Sequence, residues 1–242
     1  GGDKSRHYIK DPQLYESSFL GSFQRFYGNP KDYCILGLLP SYLEAGNSSL
    51  VYMVQHLITA SQNDLSGFYL YNFDQLHSVL LQNEARAQKT ILIGVTYALL
   101  DFAQAYAMPL KHTLVMETGG MKGRKKELTR KEVHDFLKGQ WHLPAIHSEY
   151  GMTELLSQAY AKQDGIFEAP AWMKILWRNE DDPFEISDQA GSGALNLIDL
   201  ANIYSCAFLA TADVGKIYGD GRFEVLGRMD HADLRGCSLL TA

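Results

Sequence analysis

Residues 146–156 read IHSEYGMTELL, and residues 115–129 upstream of them read VMETGGMKGRKKELT. In each stretch a short run of strand-forming residues meets a turn of Gly, Thr and charged residues, and a predicted helix follows. Two such junctions in succession, with an acid at the second, suggest that a phosphate-bearing ligand lies across both. A plain helix start with an acid in its first turn is the alternative interpretation of the second stretch.

Strand and helix patterns alternate along the first two thirds of the chain. Apolar residues in 50–58 recur at spacings of three and four, which predicts one buried helical face. Asn72 with Gln75, and Thr129 with Glu132, are spaced as helix-starting pairs. The alternation predicts the α/β class, with a largely parallel sheet flanked by helices. Strands are predicted within 32–41, 66–72 and 143–151, and helices within 49–62, 73–88, 128–141 and 152–161. Residues 89–98 are predicted as a strand entering a helix, and residues 111–120 as a strand entering the Gly-rich turn.

After about residue 165 the pattern changes to short strands separated by turns. Strands are predicted within 173–180, 193–201, 206–219 and 221–228, and helices are scarce. We therefore divide the chain into an α/β part, residues 1–165, and a smaller β-rich subdomain, residues 166–242.

Length, charge and cysteine content limit the class of protein. The 242 residues allow one large domain or two small ones, and the net charge of −6 argues against charge-driven nucleic-acid binding. No run approaches the roughly 20 apolar residues of a membrane span. The three widely spaced cysteines predict a reducing cytoplasm rather than a disulfide framework. Because no GxGxxG follows an early strand and no GxSxG is present, dehydrogenase and serine hydrolase functions are poor matches.

The second junction, YGMTE at 150–154, offers groups suited to phosphate and a hard cation. Thr153 and backbone N–H groups of a first helical turn can bind phosphate, and Glu154 can ligate Mg²⁺ together with phosphate oxygens. At the first junction, Gly119 and Gly120 permit close approach of a base or a phosphate. The basic residues that follow add local positive charge, but most of them are expected to belong to a solvated loop: Lys122, Arg124, Lys125 and Lys126.

Two further positions suit a nucleotide. Asp213, at the end of a predicted strand, can accept hydrogen bonds from ribose hydroxyls, and Arg228 can pair with a ribose or phosphate oxygen. A structural ion pair between them, across a hairpin that turns at 219–221, is equally open. Near the start, GGDK has the form of a phosphate loop ending in Lys4.

The order of these elements resembles the adenylate-forming superfamily of acyl- and aryl-CoA ligases and luciferases. The matching elements are GGDK, the Gly-Gly turn, YGMTE, an Asp ending a strand, and GRMD followed by RG. The resemblance implies the N-terminal core of that fold, truncated at its start, and the cofactors ATP and Mg²⁺. It places the Ser/Thr part of the phosphate loop upstream of Gly1, so we expect a fragment. The C-terminal lid that most relatives carry is absent from the sequence, which the acyl-protein synthetase branch of the superfamily would explain.

The resemblance also implies roles for individual residues. Thr153 would contact the α-phosphate and Glu154 would ligate Mg²⁺. Asp213 would take the ribose hydroxyls and Arg228 a ribose or phosphate oxygen.

Other roles implied by the resemblance concern the base and the phosphate loop. Gly119 and Gly120 would line the adenine pocket, with Tyr150 as a stacking wall and Gly151 beside it in the same motif. Lys4 would close the phosphate loop. The acyl chain would lie near residues 91–102, although the same residues make an ordinary buried strand.

Within the superfamily, the chain most resembles the acyl-protein synthetase of bacterial bioluminescence and its non-luminous relatives. That likeness implies activation of a carboxylic acid, expected to be a fatty acid, and transfer of the acyl group to Cys237; a partner acyl-transferase or reductase would then receive it. A buried terminal-strand role for Cys237 is equally open. The alternatives are an acyl- or aryl-CoA ligase, for which coenzyme A is the acceptor, and an inactive nucleotide-binding module.

Overall fold

The computed structural model describes residues 6–39, 48–119 and 128–229. In these ranges the helices are α1 (Pro12–Tyr27), α2 (Ser49–Ser61), α3 (Phe73–Ala85), α4 (Thr96–Ala105) and α5 (Arg130–Trp141). The first strands are β1 (Cys34–Leu38), β2 (Gly67–Phe68), β3 (Thr90–Gly94), β4 (Thr113–Glu117), β5 (His147–Tyr150) and β6 (Ala159–Ala161). The later strands are β7 (Ile166–Glu168), β8 (Met173–Arg178), β9 (Ile186–Ser187), β10 (Gly191–Asp199), β11 (Phe208–Ile217) and β12 (Phe223–Arg228).

Side-chain caps define where the helices begin. The Asn72 side chain accepts from the backbone N–H of Gln75 at the start of α3. At α5, Thr129 and Glu132 form a complete capping box, each side chain bonded to the other's backbone. Both predicted helix starts are confirmed, since each cap satisfies backbone donors that the first turn leaves unpaired.

The twelve strands of the described ranges belong to one sheet, in the order β2-β1-β3-β4-β5-β6-β7-β12-β11-β10-β8-β9. The first five strands of that order pair in parallel, and every pairing from β5–β6 onward is antiparallel. The predicted α/β class with a large sheet flanked by helices is confirmed. The division at residue 165 into two subdomains stays a prediction.

Helices cover both faces of the parallel strands. On one face Leu92 belongs to a buried cluster with Leu99 of α4 and Leu137 of α5. On the other, Ile91 belongs to a cluster with Phe19 of α1. Because neighbouring strand residues point to opposite faces, this alternation inside one apolar strand builds two cores at once.

The antiparallel strands have a third buried cluster, which includes Phe167, Leu195 and Phe223. The rings of Phe167 and Phe223 stack with centroids 5.4 Å apart, where β7 pairs with β12. Within the described ranges, no helix is both long and apolar enough to cross a membrane.

The helix predicted within 152–161 is wrong. Residues 151–158 form turns and irregular backbone, and β6 follows and pairs with β5. The backbone N–H groups of Leu156 and Ser157 donate to the Asp199 carboxylate instead of to carbonyls one helical turn back. The strand predicted within 66–72 is also shorter than expected, since only Gly67–Phe68 pairs, with β1.

Candidate functional site

The two junctions singled out in the sequence are neighbours in the sheet. β4 and β5 pair in parallel with Glu117 opposite Ser148, so the chain leaves both strands at the same edge. Ligands of open parallel sheets bind outside the carboxyl ends of the strands, which is where both junctions lie. The geometry therefore supports one site shared by the two.

The turn at Gly119 is hydrogen-bonded to a buried acid, Glu117, which the sequence analysis did not single out. Glu117 is 7% exposed, and its Oε2 accepts from the Thr96 hydroxyl at 2.8 Å and from the Gly119 N–H at 3.2 Å. Gly119 has φ +73°, a conformation that favours glycine. Glu117 thus fixes this turn against the start of α4.

Glu117 carries its charge despite burial. Burial opposes its ionisation, but the neighbouring His134 and the hydrogen bond from the Thr96 hydroxyl hold its pKa below the usual range. His134 Nε2 lies 3.8 Å from Glu117 Oε1, and the Ser148 hydroxyl donates to that oxygen at 3.3 Å. A fixed negative charge therefore lies under the first junction.

At the second junction, Gly151 and Thr153 are exposed and Glu154 is half-buried. No helix begins here, so the predicted contribution of a helix end to phosphate binding is wrong. The groups that remain for a ligand are the side chains of Thr153 and Glu154 and the backbone around them. A side chain at Gly151 would place its Cβ 2.6 Å from Glu149 Oε1, so the end of the Glu149 side chain would have to move.

Tyr150, Asp213 and Arg228 come together across the joint between the parallel and antiparallel strands. The Tyr150 hydroxyl donates to Asp213 Oδ2 at 2.8 Å, and Arg228 Nε lies 3.7 Å from Asp213 Oδ1. Asp213 and Arg228 are opposite each other in the pairing of β11 with β12. The ion pair left open by the sequence is present, and the ribose contacts of both residues stay predictions.

The electrostatic surroundings of Asp213 include the charge of Glu154. Burial raises the pKa of Asp213, hydrogen bonding from Tyr150 and the charge of Arg228 lower it, and the charge of Glu154 raises it. Two carboxylates, one cation and one phenol thus share this part of the molecule. Such an arrangement suits a ligand that brings a divalent cation and hydroxyl groups.

The ring of Tyr150 is largely taken up by packing. It lies 5.8 Å from Phe167 and 5.6 Å from Phe223, and the residue is 8% exposed. Its role as a stacking wall for a base stays a prediction.

Among the described residues, no group of three or more His, Cys, Asp or Glu side chains is arranged to hold a metal ion. A cation at Glu154 would therefore take most of its oxygen ligands from phosphate and water, as Mg²⁺ commonly does.

Several predicted site residues lie outside the described ranges. These are Lys4, Gly120, Cys237 and the basic residues Lys122, Arg124, Lys125 and Lys126. Their predicted roles are untested. The residues proposed to contact the acyl chain lie within the described ranges and differ in burial. Ile93 is a buried core residue, whereas Val95 and Tyr97 are half-buried.

Comparison with solved structures identifies the fold. ATP-bound MatB from Rhodopseudomonas palustris matches with a TM-score of 0.60 and 16% identity, over 86% of this chain and 42% of that one. O-succinylbenzoate coenzyme A synthetase from Bacillus subtilis, in complex with AMP, matches with a TM-score of 0.56 and 16% identity, over 89% and 45%. The luciferase-like enzyme of the mealworm Zophobas morio matches with a TM-score of 0.60 and 14% identity, over 90% and 54%.

The chain has the fold of the N-terminal core of adenylate-forming enzymes. It spans less than half the length of the MatB and synthetase chains. No protein-family model matches the sequence, and no curated protein matches it significantly. The expectation drawn from YGMTE and GRMD is therefore confirmed for the fold.

Sequence reasoning missed the residues that support the site from behind. Glu117 is the last residue of β4 and Asp199 is the last residue of β10, the position at which Asp213 was expected. Asp213 itself lies inside β11, opposite Arg228 of β12, so the expectation that it ends a strand is wrong. An acid at the end of a strand was thus an available clue for Glu117 and Asp199. Asn202, which bonds the backbone carbonyl of Glu154, carries no comparable local signal.

Proposed function

We propose that this chain contributes the nucleotide-binding core of an AMP-forming ligase, which activates a carboxylic acid with ATP. The observation that carries the proposal is the 2.8 Å bond from Tyr150, in YGMTE, to Asp213, beside Arg228. This bond brings residues from separate sequence motifs together at one place. The fold on which they lie is shared with an ATP-bound and an AMP-bound protein.

The reaction requires positioning and charge neutralisation rather than a protein nucleophile. An oxygen of the substrate carboxylate bonds to the α-phosphorus of ATP, the bond from that phosphorus to the bridging oxygen breaks, and pyrophosphate leaves. In this scheme Thr153 holds an α-phosphate oxygen, Asp213 accepts from ribose hydroxyls, and Arg228 contacts a ribose or phosphate oxygen. Gly119 and Gly151 allow the ligand to approach the backbone.

The site fits Mg²⁺ through Glu154, a half-buried carboxylate at the exposed edge of the loop. When bound, Mg²⁺ would offset negative charge on the phosphate oxygens. Glu154 would serve as its protein ligand and would orient the triphosphate relative to Thr153.

The acyl-adenylate then passes its acyl group to a thiol. The thiolate bonds to the acyl carbon, AMP leaves, and the thiol proton goes to solvent. We propose Cys237 as the acceptor and a fatty acid as the substrate, following the resemblance to acyl-protein synthetases. Coenzyme A is the second candidate acceptor, favoured by the fold match to a coenzyme A synthetase.

The test is hydroxylamine trapping of the acyl-adenylate with ATP, Mg²⁺ and a panel of short, long and aromatic acids. It is run on this chain and on a version extended at the N-terminus. We expect hydroxamate from one class of acid. Its absence from both versions would refute the ligase proposal and favour a binding module.

Glu154→Gln should raise the Mg²⁺ concentration for half-maximal hydroxamate formation at least about tenfold, the size of effect seen when even an outer-shell partner is lost. The matched control is Glu180→Gln, an exposed acid in the turn before β9. Equal behaviour of the two variants would remove Glu154 from the proposed site.

Acceptor choice is read separately. Covalent acyl labelling that is lost in Cys237→Ser, with hydroxamate formation intact, supports the internal thiol. Acyl-CoA formation that the same substitution leaves unchanged supports the ligase with coenzyme A.

A further inference from the structure

The loop that carries Thr153 and Glu154 has no helix of its own to hold it. Among the described residues, its support comes from a short 3₁₀ turn, Leu200–Asn202, at the end of β10. Two side chains at this turn, Asp199 and Asn202, are 0% and 1% exposed. Both reach the backbone of the loop.

Asp199 uses both carboxylate oxygens on the segment just after Glu154. Its Oδ2 accepts from the N–H of Leu156 at 2.8 Å and from the N–H of Ser157 at 3.1 Å. Its Oδ1 accepts from the Ser157 hydroxyl at 2.6 Å and from the Ala201 N–H at 3.1 Å. Four donors on a fully buried carboxylate make a geometry that few other side chains can supply.

Asn202 binds the same loop at Glu154, just before the residues that Asp199 binds. Its Nδ2 donates to the carbonyl of Glu154 at 2.8 Å and to the carbonyl of Cys206 at 2.8 Å. Its Oδ1 lies 3.0 Å from His7 Nε2. The amide thus acts directly on the peptide group of the proposed Mg²⁺ ligand.

The same network ties the loop to the rest of the molecule. The hydroxyls of Ser157 and Ser18 are 2.9 Å apart, and Trp172 Nε1 donates to both at 3.0 Å. Ser18 belongs to α1 and Trp172 precedes β8. The loop is therefore hydrogen-bonded to α1 through Ser18 and to the residue preceding the antiparallel strand β8 through Trp172.

We propose that Asp199 and Asn202 are positioning residues that set the location of Thr153 and Glu154 for a bound nucleotide and its cation. The role rests on the function proposed above. Neither residue touches the ligand; each acts through the loop backbone, where loss of a bond displaces Glu154 relative to Asp213 and Arg228.

The main test is Asp199→Asn, which keeps the side-chain size but puts an amide N–H₂ where backbone donors point. We expect the Mg²⁺ concentration for half-maximal hydroxamate formation to rise about tenfold or more, with a smaller change in the KM for the acid. The control is Asn83→Ala, which removes a buried bond to Thr90 at the opposite end of β3. It should lower thermal stability without altering Mg²⁺ dependence.

A second, milder variant, Ser157→Ala, keeps the proposal testable if Asp199→Asn does not fold. Ser157→Ala removes one bond to Asp199, together with the hydroxyl's bonds to Ser18 and Trp172, and leaves the three backbone N–H bonds to Asp199, so we expect a partial shift in Mg²⁺ dependence. Equal Mg²⁺ dependence of wild type, Asp199→Asn and Ser157→Ala would overturn the proposal.

A second readout does not depend on catalysis. Amide hydrogen exchange of Leu156 and Ser157 should speed up at least about tenfold in Asp199→Asn, because their N–H groups donate to the Asp199 carboxylate, and should be unchanged in Asn83→Ala. Unchanged exchange in Asp199→Asn would overturn the proposal even if hydroxamate is formed. Faster exchange in a protein that forms no hydroxamate would keep the loop support and reject the ligase function instead.

Discussion

Glu117 and Glu149 lie at neighbouring strand ends, yet their surroundings move their pKa values in opposite directions. His134 and Thr96 stabilise the charged form of Glu117. Burial and the charge of Glu117 raise the pKa of Glu149 to about 8. Among the described residues, no hydrogen-bond donor reaches the Glu149 carboxylate, and the difference in hydrogen bonding explains the contrast.

The raised pKa of Glu149 predicts that this residue lowers the free energy of unfolding more and more as the pH rises. Between pH 4.5 and about 8 the unfolded chain has released this proton while the folded chain keeps it, so stability falls as pH rises. Glu149→Gln removes that ionisation. Its free energy of unfolding should exceed that of wild type by an amount that grows with pH, at up to about 1.4 kcal/mol per pH unit.

Urea denaturation at pH 5, 6.5 and 8 measures this difference. Glu180→Gln, at an exposed position, should track wild type at all three values. Parallel curves for Glu149→Gln and wild type would show that the carboxyl is solvated in the folded protein.

At the scale of elements, the start of α5 is set by its capping box. Thr129→Ala removes the side-chain acceptor for the Glu132 N–H, so we expect a loss of about 1 kcal/mol in unfolding free energy. Ser78→Ala, within α3, serves as the control. Its hydroxyl bonds the carbonyl of Asp74 at an exposed position and should change stability by less than about 0.5 kcal/mol. Equal losses in the two variants would contradict a special role for the cap.

Caps and apolar periodicity made most elements predictable. Helices α2, α3 and α5 and strands β1, β3, β4, β8, β10 and β12 lie where apolar runs and helix-starting residues predicted them. Helix α1 escaped notice because two of its buried positions are Ser18 and Ser22, which weaken the apolar stripe. The cap Asp11 followed by Pro12 was the available signal.

The loop after β5 could not be predicted locally. Leu155, Leu156 and Ala159 have helical spacing, but Asp199, distant in sequence, captures the N–H groups, and β6 pairs with β5. For the site, YGMTE contains Tyr150, GRMD contains Arg228, and Asp213 was singled out as an acid in a later strand; the three lie together, and their ligand contacts stay predictions. Their supports depend on contacts between distant segments, which no local pattern reports.

At the scale of the whole molecule, the Tyr150 hydroxyl links the parallel half to β11. Tyr150→Phe leaves the buried Asp213 without this donor, and we expect a loss of about 1–3 kcal/mol in unfolding free energy by urea titration. Tyr33→Phe is the matched control. Its hydroxyl bonds the neutral carbonyl of Tyr27 in a partly buried position, so its loss should be smaller. A Tyr150→Phe loss no larger than the control would mean that water replaces the phenol at Asp213.

The pairing of β7 with β12 has a consequence during synthesis. Phe167 lies beside Phe223 in the sheet, although β8 to β11 separate them in the chain. While the ribosome is still producing that interval, β7 presents an open edge and an uncovered phenylalanine ring. β12 must pair with a strand that lies far earlier in the chain. Bringing two such distant segments together costs chain entropy, which makes this pairing slow. A chain arrested before residue 223 is therefore expected to be the form most in need of a chaperone.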